Sequence, residues 1–89
     1  MGVAAGQEPD EVKLTVSGVA LRLSPDRVVK ALDNVEPERV RNHAVVVGTR
    51  WFPVKQAFEA VSGLDRLDFN TEQARSAFRK LGFEVRRVS

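Results

Sequence analysis

Apolar and polar positions alternate along the first third of the chain with one change of parity. In "VKLTVSGVALRL", Val12, Leu14 and Val16 alternate with polar neighbours, and Val19, Leu21 and Leu23 resume the alternation after Ser17-Gly18. A two-residue turn at Ser17-Gly18 pairs Val16 with Val19, Leu14 with Leu21 and Val12 with Leu23. All six then share one face, with Lys13 and Arg22 on the other, as a hairpin requires. One bent strand with a bulge at Gly18 is the alternative. In "SPDRVVKALDNV" the period becomes helical: Val28, Ala31, Leu32 and Val35 form an i, i+3, i+4, i+7 stripe. Ser24 is the expected N-cap, Pro25 and Asp26 suit the first turn, and Glu36-Pro37 ends the helix.

A second hairpin is expected in "HAVVVGTRWFP", where Gly48-Thr49 fits a turn of type II′. It sets Val47 opposite Arg50, Val46 opposite Trp51 and Val45 opposite Phe52. Both faces of this ribbon are apolar, so cover on both sides over part of its length is expected, with Trp51 in the core or, alternatively, open as a stacking surface. Pro53 opens a helix with the stripe Val54, Ala57, Phe58 and Val61, and Gly63 stops it. After the loop "LDRLDF", Asn70 and Gln73 resemble a capping box for a helix that turns Ala74, Ala77, Phe78 and Leu81 inward. Residues 83–89 close the chain as a strand.

The order is ββαββααβ, an α+β domain: a small mixed sheet of two hairpins and a C-terminal strand, packed against three helices. Eighty-nine residues make one domain, expected over 11–89, with 1–10 as a flexible tail. The segment "EPERVRN" (36–42) is the one linker-like piece, too short to divide domains.

Composition narrows the chemistry. There is no cysteine and a single histidine, His43, so disulfides, Cys-based zinc sites and paired-His metal motifs drop out. Cofactor and metal are expected to be none. No phosphate loop, nucleophile elbow or zincin motif occurs, and Glu59, Asp65, Asp68 and Glu72 have no partnering base. No apolar run reaches the ~20 residues of a membrane span, and residues 1–11 lack signal-peptide character. A non-catalytic, cytoplasmic, nucleoid-associated protein is the expectation. The absence of Ile and Tyr and the excess of Arg over Lys point to a GC-rich bacterial gene.

Charge is unevenly spread. Residues 1–38 hold seven acids and four bases (−3), and residues 39–89 hold five acids and ten bases (+5), which sum to the net +2. A basic C-terminal half implies an anionic partner. The helix that starts near Pro53 has no Ser, Thr, Asp or Asn to cap it, and Lys55 stands in its first turn against the dipole. Arg50 stands nearby in sequence, so a phosphate could satisfy all three. A carbonyl, Thr49 or water capping the amides, with Lys55 paired to Glu59, is the structural alternative. Arg75, Arg79 and Lys80, followed by Arg86 and Arg87, form a candidate backbone-contact stripe, with Trp51 a candidate stacking residue.

The segments "RWFPVKQAF", "DFNTEQARSAF" and "KLGFEV" together resemble the small N-terminal head module of modification-dependent HNH restriction endonucleases and its stand-alone bacterial relatives. The matching positions are Trp51, Pro53, Lys55, Phe69, Ala74, Leu81, Gly82 and Phe83. Trp51 stands where tyrosine is common, Asn70-Thr71 replaces a Gly-Gly, and the nuclease domain is not in this sequence. The resemblance implies binding of double-stranded DNA, with a preference for 5-methylcytosine. DNA contacts are expected at Arg50, Trp51, Lys55, Arg75, Arg79 and Lys80. So small a domain makes few phosphate contacts, so a homo-oligomer, dimer or tetramer, is expected, with the N-terminal hairpin as its interface. Docking of an acidic protein partner by the basic half is the alternative reading.

Overall fold

The computed structural model describes residues 11–88; the expected tail, 1–10, lies outside the described residues. The elements are β1 (Val12–Val16), β2 (Val19–Leu23), α1 (Pro25–Leu32), β3 (His43–Val47), β4 (Arg50–Pro53), α2 (Val54–Ser62), a 3-10 turn (Arg66–Asp68), α3 (Thr71–Lys80) and β5 (Glu84–Arg87). The protein is a small α+β domain in the order ββαββααβ.

The strands divide into two antiparallel sheets, β1-β2 and β4-β3-β5, where one mixed sheet was expected. Alternation fixes the face of a strand, and the partner across its edge is left to the tertiary fold. The register of β1-β2 pairs Val12 with Leu23, Leu14 with Leu21 and Val16 with Val19. Ser17 (φ 51°) and Gly18 (φ 80°) both take positive φ, which makes the turn type I′ and rules out the bulge. In the second hairpin Gly48 has φ 63° and Thr49 does not turn positive, as type II′ demands. Val45 there pairs with Phe52 and Val46 with Trp51.

The helix starts have the boundary chemistry their sequences suggest, whereas α1 stops at Leu32 and not at the expected Glu36-Pro37. The Ser24 side chain accepts from the Arg27 amide, and Asn70 and Gln73 complete a reciprocal capping box. Gly63 closes α2 in the left-handed conformation. The core gathers Leu14, Val16 and Leu23 from the first hairpin, Val28 and Leu32 from α1, Val45 and Phe52 from the sheet, and Phe58 and Phe78 from α2 and α3. Phe69, Phe58, Phe78 and Phe83 form an edge-to-face chain with centroids 4.9, 5.9 and 6.2 Å apart.

The helices cover only one face of the three-stranded sheet. Val45, Phe52 and Val85 point into the core, whereas Trp51 is 42% exposed and Val46 is only half-buried on the other face. Cover of both faces holds over part of the ribbon, since Ala44 on the Trp51 side is fully buried, whereas the core position expected for Trp51 is corrected.

Candidate nucleic-acid interface

The start of α2 is bare. Pro53 occupies its N-cap, no side chain bonds its first amides, and the first turn carries no acid. Lys55 lies in that turn with its Nζ 5.6 Å from the centre of the Phe69 ring. Glu59, its alternative partner, is taken by Arg66 at 2.8 Å.

Around this helix start opens a groove of about 430 Å³, walled by Arg39, Arg41, Asn42 and His43 on one side and by Pro53, Val54, Lys55 and Thr71 on the other. Glu38 is the one acid in its lining, and both its oxygens accept from Arg66, at 2.9 and 2.8 Å. That contact holds the Glu38 carboxyl below its ordinary pKa and raises that of Arg66. The carboxylate is thus answered from outside the groove, and the groove keeps its positive character.

Gln56 makes the arrangement rigid. This buried side chain donates from Nε2 to the Glu36 carbonyl and accepts at Oε1 from the Glu38 amide, both at 2.8 Å. Together with Arg66, it fastens the 36–42 segment across the start of α2. Arg39 and Arg41 are carried into place by that segment. His43 begins β3 on the same side; desolvation first, then Arg75, Arg87 and Arg79, push its pKa down, while Glu72 opposes them. Those arginines, from α3 and β5, therefore lie within electrostatic reach of His43. Arg75 donates to Glu72 at 2.8 Å, and its Nε is buried without an acceptor.

The residues expected to act together are dispersed by the fold. Lys55 lines the groove, and Arg75 and Arg79 flank it through His43. Lys80 lines a separate depression between β1 and α3, with Leu14, Val16 and Ser76. Arg50 sits at the opposite end of β4 from Lys55 and turns to the C-terminus of α1. Its Nη atoms donate to the carbonyls of Val35 at 3.0 Å and Leu32 at 2.5 Å, and the guanidinium covers the Phe52 ring at 4.9 Å. The expected Arg50–Lys55 pairing around one phosphate is therefore not formed. Trp51 stands on the open sheet face with Arg86, not Arg50, over its ring at 5.5 Å.

The family model for SCO5918-like proteins matches residues 13–89. The chain belongs to the SCO5918-like family. No curated protein and no solved structure gave a significant match. The SCO5918-like match takes in the first hairpin from Lys13 onward, the second hairpin, all three helices and every groove residue. Arg39, Arg41, Asn42 and His43 were not singled out for binding from the sequence. The two arginines two apart in "EPERVRN" are the signal, and the segment looks like a linker because nothing local shows that Gln56 and Arg66 hold it down. No metal-binding cluster occurs among the described residues, and no helix there is long and apolar enough to cross a membrane.

Proposed function

We propose that the chain is a small non-catalytic DNA-binding protein that holds the phosphate backbone in the groove at the start of α2. One observation carries this reading: Arg39, Arg41 and Lys55 converge on an uncapped helix start whose single neighbouring acid is already bound by Arg66. Amides without a side-chain cap and cations placed around them are what a phosphate oxygen needs, and the groove brings both together.

The resemblance of "RWFPVKQAF" and "KLGFEV" to the endonuclease head module supports DNA as the anion and adds 5-methylcytosine as its preferred content. Three phosphate contacts make weak binding, so several copies acting along one duplex complete the reading. The apolar face of the first hairpin is already in the monomer's own core, which leaves its strand edges for such contacts.

A salt series on a short duplex tests the proposal. With about three neutralised phosphates, log K against log salt should fall with a slope of roughly −2.7. Replacing Arg41 and Lys55 together by alanine should flatten that slope by about 2. Absence of binding at low salt, or a slope indifferent to both residues, sinks the idea. Duplexes differing only in cytosine 5-methylation test the preference, and equal affinities would remove it alone.

A further inference from the structure

The open face of β4-β3-β5 carries the chain's one tryptophan, and that face meets the groove. Trp51, Pro53, Val46 and Arg86 share it by strand alternation and register. Pro53 belongs to both surfaces: it lines the groove and lies two residues along β4 from Trp51, on the same side. Trp51 is 42% exposed, the Arg86 guanidinium lies over its ring and the cationic groove lies past Pro53; a flat aromatic ligand that carries negative charge can layer on this cation–aromatic pair.

We infer that this face is a stacking platform for one unpaired nucleobase, whose neighbouring phosphate lies in the groove. The inference rests on the backbone-binding reading and specifies the strand it favours. A base inside a duplex has both of its faces covered by its neighbours, so a base that stacks on Trp51 must be out of the helical stack. Pro53, two residues along β4, sets the neighbouring phosphate about 7 Å away, at the groove. Single-stranded DNA, or a duplex with an unpaired base, meets that geometry; an intact duplex reaches the groove alone. Glu84, the acid on this face, is paired with Arg86, so it does not repel the strand.

The chain has one tryptophan and no tyrosine, so its intrinsic fluorescence reports Trp51 alone. The full chain is titrated with a 12-nucleotide oligothymidylate and with a 12-base-pair duplex, following tryptophan emission and the anisotropy of a labelled nucleic acid. Oligothymidylate should quench Trp51, and the duplex should bind with little quenching. Trp51→Ala should lose roughly 5- to 150-fold in single-strand affinity, with duplex affinity within about twofold. Trp51→Phe should recover most of the loss, and circular dichroism checks that both variants fold. Binding of oligothymidylate without quenching, and unchanged by Trp51→Ala, overturns the platform while leaving the groove reading intact. Failure of either nucleic acid to bind removes both. Self-association that Trp51→Ala abolishes would assign the face to a second copy and overturn the platform.

Discussion

Arg50 shows how a residue's neighbours in sequence can mislead about its neighbours in space. Three positions from a helix start, it looks like a ligand for phosphate; one strand alternation turns it to the core side, where Val47 and Phe52 point. There it meets the carbonyl of Leu32, the last residue of α1, and that of Val35 in the turn that follows. It stands where Lys or Arg is favoured for the helix dipole, although it comes from another element. Arg50→Ala should therefore cost stability and leave DNA affinity alone. A hydrogen bond to a charged group contributes about 1.5–3 kcal/mol, so a loss near 2 kcal/mol in urea denaturation is expected. An unchanged urea midpoint with weakened binding would return Arg50 to the interface. The caps at Ser24 and Asn70 were legible because capping is local chemistry. The destination of Arg50 was not, because it depends on where α1 lies relative to β4.

At the scale of elements, the strands, the helices, the type of the second turn and both hairpin registers could be read from period and punctuation. The end of α1 could not. Its apolar stripe runs to Val35, yet the helix stops at Leu32, and Asp33 and Val35 make tighter bonds back to Lys30 and Leu32. The stripe continues because Val35 still packs on the core in a non-helical turn. The segment 36–42 was equally opaque: its polar composition suggests slack, whereas Gln56 and Arg66 make it a fixed wall. Its hold weakens in acid. The folded pKa of Glu38 lies below the ordinary 4.5 because Arg66 donates to it. Its contribution is therefore complete above that value and is lost as pH falls below it. Glu38→Gln should make the urea midpoint less sensitive to a drop from pH 6 to pH 3.5 than it is in the parent chain. Equal sensitivity in the two chains would show that the Arg66 contact does not support the fold.

For the whole molecule, the order of elements was legible and the division into two sheets was not. Alternation says which side of a strand is greasy; it is silent on whether two hairpins join. They do not join, and no backbone ladder crosses from β1-β2 to β4-β3-β5. The first hairpin is held by side chains such as Leu14, Val16 and Leu23, and at its tip the Ser17 hydroxyl donates to the Asp68 carbonyl. A unit joined to its host in that way can lift off without disturbing the ladder of β3. Amide hydrogen exchange should reveal this as two populations. Hairpin amides should exchange through a small opening that responds weakly to denaturant, and those of Val45 and its neighbours only when the entire chain unfolds. A single exchange free energy for both would mean that packing welds the sheets into one cooperative body. If the populations separate, the detached state bares the apolar face of Leu14, Val16 and Leu23 and the site it vacates, the two complementary surfaces that an exchange of hairpins between copies requires.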